Sequence, residues 1–179
     1  MIRRYRLAAV AMLLGLAVAK AAASGGAPHA GPSRACAHVT WDGVAGLFDR
    51  WNQSLATRDA EQVADNYTRD AVLLPAFANS PRNGREAIRD YYAALLPMAP
   101  HARVVQRTIK IRCNLSMDFG VLALRLTDSS GTESIVPAQY SFVYEYRDGR
   151  WLVAHEHASV IPKDEPMLGG QATDRRGEP

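Results

Sequence analysis

The run Tyr140-Ser-Phe-Val-Tyr-Glu-Tyr146-Arg-Asp148-Gly149-Arg150-Trp-Leu-Val-Ala-His155-Glu-His157-Ala-Ser159 decides how this chain is read. On both sides of Asp148-Gly149, aromatic and β-branched residues alternate with others at a period of two, as in half-buried strands. Asp-Gly suits a tight hairpin, because both residues tolerate the positive φ that such turns demand. Two adjacent antiparallel strands are therefore expected over 135–146 and 150–161.

Working upstream, Gly120 to Asp128 reads as another long strand, closed by a turn at Ser129-Ser-Gly131. From His101 onward, Val105, Ile109, Ile111 and Cys113 alternate with Gln106, Thr108, Lys110 and Arg112, giving a fourth long strand. Before His101 the period changes. Val44, Leu47, Phe48, Trp51 and Leu55 fall on one helical face, with Thr40 placed to cap it. Asp59 and Gln62 form a capping box for a short helix through Tyr67, and Asn83 and Glu86 form another for a helix ended by Pro97. Asp70 to Pro75 reads as a short edge strand. Helices first and a strand meander after predict an α+β domain, with a curved antiparallel sheet and the N-terminal helices on its concave face. Such a sheet leaves a pocket in its mouth.

The ends read differently. Arg3, Arg4 and Arg6 precede an apolar run from Leu7 to Ala19, followed by small residues, which is the pattern of an export signal over 1–23. Residues 24–38 read as a flexible linker, 39–162 as the domain and 163–179 as a flexible tail. The 179-residue chain carries a formal charge of +3 with 21 basic and 18 acidic side chains. Removing the four cations of residues 1–23 leaves 17 against 18, or −1, so no nucleic-acid partner is expected and no membrane partner after signal cleavage. A periplasmic or secreted location follows from the signal. In that compartment the two cysteines, Cys36 and Cys113, are expected to form a disulfide.

Asp148-Gly149-Arg150-Trp151, then His155-Glu156-His157-Ala158-Ser159, then Pro162, resembles the end of the association (hub) domain of calcium/calmodulin-dependent kinase II. Leu124-Arg125-Leu126-Thr127 looks like a strand of the same family. Leu47 to Arg58 and Tyr67 to Phe77 look like its exported bacterial relatives. The resemblance spans about residues 41 to 162. It implies a cone-shaped nuclear transport factor 2-like (cystatin-like) fold that self-associates as a homodimer or larger ring. It also implies a polar pocket. Of three arginines in the hub pocket, one matches Arg125, while Phe142 and Ala158 stand where the other two would be.

The hairpin register sets which side chains share that pocket, because a one-residue slip exchanges the two faces. A two-residue loop pairs Tyr146 with Trp151 and puts His155 and His157 beside Tyr140, Phe142 and Tyr144. A three-residue loop with a bulged Gly149 pairs Tyr146 with Arg150. It puts Glu156 inward with Tyr140, Tyr144 and Arg125, and Trp151, Val153, His155 and His157 outward as a self-association face. The second arrangement gathers aromatics and small residues on one wall and is preferred, with the first left open.

On that reading a small molecule is held by Arg125, Tyr140, Tyr144 and Glu156. Glu156 with Tyr140 is the candidate catalytic pair, since a carboxyl raised in pKa by burial can act as a base near neutral pH. A Glu156–Arg125 ion pair is the competing expectation. His155 and His157 lie on one side of a strand, but no third ligand of distinctive spacing accompanies them, so no metal is expected, nor any cofactor. Trp51, Tyr91 and Tyr92, set among aliphatics at helical spacing, read as core. The functional expectation is an exported, self-associating domain with a small-molecule pocket. The alternatives are a proton-transfer enzyme of the ketosteroid isomerase, dehydratase or cyclase type, and an oligomeric scaffold.

Overall fold

A computed structural model describes residues 36–162. The expected signal, nearly all of the linker and the expected tail lie outside the described residues. Helix α1 (Trp41–Ala56) opens the fold, with the Thr40 hydroxyl accepting from the Gly43 N–H. It turns Val44, Phe48, Trp51 and Leu55 into the core. Helix α2 (Ala60–Ala64) follows, capped by Asp59. After it come strands β1 (Tyr67–Leu74) and β2 (Arg82–Asn83), then helix α3 (Gly84–Leu95) and a 3-10 turn. Four long strands complete the chain: β3 (His101–Arg112), β4 (Leu115–Thr127), β5 (Glu133–Arg147) and β6 (Arg150–Val160).

The strands form one curved, unclosed six-stranded sheet in the order β2-β1-β6-β5-β4-β3. The α+β layout matches the expectation, with the helices packed on one face and the other face bare of helices. One junction departs from the antiparallel pattern: β1 runs parallel to β6. Helix α2 also stops short of Tyr67. Asn66 turns the chain, its side-chain amide donating to the Gln62 and Val63 carbonyls while its own carbonyl accepts from the Val153 N–H. Tyr67 thus starts β1, which β2 and β6 flank, so β1 is not an edge. Asn83 precedes α3 without a side-chain cap bond.

Two irregularities set the faces. In β3 the pairing slips between Val104 and Gln106, opposite Val121 and Leu122. Val105, expected inside, is consequently 52% exposed, while Ala102, Val104, Arg107 and Ile109 take the inner side. A Cβ on Gly120 would sit 2.1 Å from the Gln106 carbonyl oxygen, so only glycine allows this approach. Gly120→Ala is expected to destabilise the domain by about 3 kcal/mol, the upper end of the usual range for overpacking, because the backbone atoms it meets cannot yield. Urea denaturation checks this.

In the β5–β6 hairpin, Asp148 (φ 53°) and Gly149 (φ 80°) form a two-residue turn, and Tyr146 pairs with Trp151 and Tyr144 with Val153. This is the register that was not preferred. Between Val143 and Tyr144 the partner strand then gains one residue, so that Val143 pairs with His155 and Phe142 with Glu156. The extra residue, Ala154, exchanges the faces of everything after it. Glu156 therefore points toward the helices and His155 and His157 away from them, as the preferred arrangement had it. Trp151 and Val153 precede the bulge and do not. Val153 is fully buried in the core and Trp151 packs against it, which corrects their assignment to an outer face.

The chain enters the domain under a covalent tie. Cys36 and Cys113 form a disulfide, and the Ala37 N–H donates to Asn114 Oδ1 at 2.7 Å. Cys113 sits in the β3–β4 turn and not inside a half-buried strand.

Candidate functional site

The helices and the inner face of the sheet enclose a narrow cavity of about 40 Å³. That is room for a single water. Its walls are mainly apolar, with Leu55, Leu73, Leu122, Leu124 and Phe142 prominent among them. Glu156 is the only charged side chain in the lining. A wider depression of about 640 Å³ lies outside it, and the two share Phe77, Tyr91 and Leu95.

Glu156 is 5% exposed and its carboxylate is met by two phenols. The Tyr67 hydroxyl donates to Oε2, and the Tyr92 hydroxyl lies 3.0 Å from Oε2 and 3.2 Å from Oε1. The two hydroxyls are 2.9 Å apart, and Trp51 Nε1–H donates to Tyr92 at 3.2 Å. Each partner comes from a different element: Trp51 from α1, Tyr67 from the start of β1, Tyr92 from α3 and Glu156 from β6. Burial pushes the Glu156 carboxyl up to about 7, and the two tyrosine hydrogen bonds only partly oppose this. The same burial, with the adjoining carboxylate, holds both phenols well above their ordinary value. A carboxyl poised near neutrality between two phenol donors can accept or release a proton without large rearrangement.

The ion pair expected for Glu156 does not form. Arg125 lies on the helix-free side, half exposed, and pairs with Glu133 at 2.9 Å. Its strand parity explains this: Leu122, Leu124 and Leu126 take the inner side of β4 and Arg125 alternates outward. Tyr140 does line the cavity, but its hydroxyl donates to Asp118 Oδ1 at 2.8 Å and not to Glu156. Tyr144 is fully buried, stacked on Phe142, and is absent from the cavity wall.

The cation that turns inward is the partly buried Arg107, which sequence reading passed over. Its Nε is 3.2 Å from Asp118 Oδ2, and its guanidinium lies 5.1 Å from the centre of the Phe48 ring. Desolvation pushes the Asp118 carboxyl up, while Tyr140 and Arg107 pull it back. This Arg107–Asp118–Tyr140 group makes no hydrogen bond to Glu156, although Tyr140 lines the same cavity. Tyr92 was also missed as a site residue, because a tyrosine among aliphatics at helical spacing looks like core, and Tyr67, because it reads as the end of the short helix before it.

On the other face of the sheet, Met117, Phe119, Val121, Val143, His155 and His157 are partly exposed. Burial, and then the neighbouring His157, lower the pKa of His155. No group of three or more His, Cys, Asp or Glu able to hold a metal forms among the described residues.

Residues 42–162 match the family model of the calcium/calmodulin dependent protein kinase II association domain. The chain belongs to this association-domain family. A candidate member of known structure from Xanthomonas campestris is 41% identical, with a TM-score of 0.67, over 73% of this chain and 96% of that one. More distant structures share the fold alone. A cystatin-like protein of Caulobacter vibrioides is 16% identical, with a TM-score of 0.57 over 68% of this chain and 89% of its own. A protein of Novosphingobium aromaticivorans, named as a candidate scytalone dehydratase, is 14% identical, with a TM-score of 0.60 over 66% and 82%. No functionally curated protein matches the chain. Within the association-domain family, this member has Phe142 and Ala158 on its cavity wall and its Arg125 outside it.

Proposed function

We propose that this protein is an exported association domain that binds copies of itself through the helix-free face of its sheet and holds a small molecule in the outer depression, with one polar group reaching into the cavity beside Glu156. The observation that carries the reading is that bare face. Met117, Phe119, Val121 and Val143 stand there without a covering layer, and Ile135 is 64% exposed on the same side. Family membership supports self-association as a homodimer or larger ring. Contiguous apolar surface of this kind is stabilised by burial against a second copy. Val143→Asp is expected to break the assembly to monomers by light scattering, because a carboxylate would be desolvated in the interface. A monomeric parent, or a variant of unchanged mass, overturns the reading.

The disulfide supports a periplasmic or secreted location, since such bonds persist in oxidising compartments. No helix of the described residues is long and apolar enough to cross a membrane.

A second reading, a proton-transfer enzyme of the dehydratase or isomerase type, is favoured by one observation. Glu156 titrates near 7 between two phenols, as a base working at neutral pH should. Tyr67 and Tyr92, rather than Tyr140, are the hydroxyls in place to assist it. Glu156→Gln is expected to abolish any turnover while leaving the assembled mass unchanged; a variant that keeps its rate removes Glu156 as the base. Neither reading calls on a cofactor.

A further inference from the structure

The cavity beside Glu156 is unusual in its charge. It contains one buried carboxyl and no cation, since Arg107 is engaged by Asp118 and Arg125 lies on the other face. A ligand carboxylate, phosphate or sulfate entering it would find no counter-charge and would face Glu156. The remaining wall is leucine, alanine, proline and aromatic side chains, which favour apolar surface. On the wall stand the Tyr92 phenol and the Glu156 carboxyl, which can donate to and accept from one polar group, while Tyr67, behind them, donates to the same carboxyl.

The way in is also marked. Phe77 lies in the loop between β1 and β2, 43% exposed, and borders both the cavity and the wide outer depression. Tyr91 on α3 borders both as well, its hydroxyl within reach of the Phe77 backbone. These two rings stand at the boundary between a space of about 640 Å³ and one of about 40 Å³. The outer space is itself floored by Ala87, Ala94, Leu95 and Met98, and its two charged side chains, Arg82 and Asp90, are of opposite sign.

We propose that this site takes an uncharged, mainly apolar molecule bearing one hydroxyl or carbonyl group, which docks that group on Glu156 and Tyr92 after Phe77 moves away from Tyr91, its body remaining in the wider outer depression. The inference rests on the pocket part of the function proposed above. The near-neutral titration of Glu156 supports it, because the carboxyl can then serve as donor to a carbonyl or acceptor from a hydroxyl.

The probes are 2-naphthol and 2-naphthoate, of closely similar shape but differing in charge, titrated into the whole purified protein by calorimetry at neutral pH. 2-Naphthol is expected to bind at least tenfold more tightly than 2-naphthoate. Two cavity-filling variants, Ala158→Leu and Leu122→Phe, are expected to weaken 2-naphthol at least tenfold. Ala158 is partly exposed, so its variant should fold even where the second does not. Phe77→Ala is expected to raise the association rate at least fivefold in stopped-flow fluorescence, and an unchanged rate overturns the gate. Binding of 2-naphthoate as tightly as 2-naphthol, still weakened by Ala158→Leu, overturns the ligand class and leaves the pocket standing. No binding of either probe, or binding indifferent to Ala158→Leu, overturns the pocket and this inference together.

Discussion

Unfolding free energies of the parent and of Glu156→Gln are expected to diverge with pH, by about 3 kcal/mol between pH 4.5 and roughly pH 8. The folded carboxyl titrates at about 7, against an ordinary value of 4.5. Below 4.5 it is neutral in both states and its stabilising contribution is fully present. Between 4.5 and 7 the unfolded chain releases the proton while the folded chain keeps it, so stability is lost as pH rises. Above 7 the folded carboxyl ionises too and the loss levels off. With about 1.4 kcal/mol per pK unit, the whole window amounts to about 3 kcal/mol. Glutamine cannot titrate, so its own hydrogen bonds to Tyr67 and Tyr92 add only a constant offset. Subtracting the two urea series cancels Asp118 and the surface carboxylates. A difference that stays flat would mean that Glu156 is ionised throughout and that the cavity is wetter than its walls imply. The stability lost between pH 4.5 and about 7 is the cost of keeping a carboxyl in an apolar cavity.

The second large effect concerns the disulfide. Cys36→Ser with Cys113→Ser is expected to cost about 4 kcal/mol, because the bond closes a loop with a sequence separation of 77. For a domain of this size that corresponds to a fall in Tm of roughly 10–20 °C. The bond holds the chain ahead of α1 against the β3–β4 turn, where the Ala37–Asn114 hydrogen bond is the only other polar tie of that segment among the described residues. Thermal unfolding with and without a thiol reductant tests it. A shift of only a few degrees would show that this segment adds little to the folded state.

The element order was legible in the chain because it depends on local periods: 3.6 around Phe48 and Trp51, two around Phe142. The Asp148-Gly149 turn was legible for the same reason, although the longer loop was preferred. What could not be read locally was parity. The bulge at Ala154 faces an excursion of β1, where the pairing jumps from Tyr67–Val153 to Val72–His155. Nothing in either segment announces a match made across more than eighty residues. Glu156 was placed inward for the wrong turn, and the bulge restored the outcome, while Trp151 and Val153 kept the parity of the true turn. Similarly, Arg125 followed its strand outward despite the family match. Tyr92 looked like core because it is core; its hydroxyl acquires meaning only when Glu156, on a distant strand, is brought to it.

Self-association through the bare face of the sheet is the central claim, and two methionines report on it from opposite sides. Met117 stands on the helix-free face, and Met98, 39% exposed, lines the outer depression beside the helices. Hydroxyl-radical footprinting of the purified protein over a dilution series, read by mass spectrometry, follows both in one sample. Association through the bare face should make Met117 markedly slower to oxidise at high protein concentration than on dilution, with Met98 unchanged. Equal rates for Met117 at every concentration in a protein of constant monomeric mass, or protection of Met98 instead, would contradict the account.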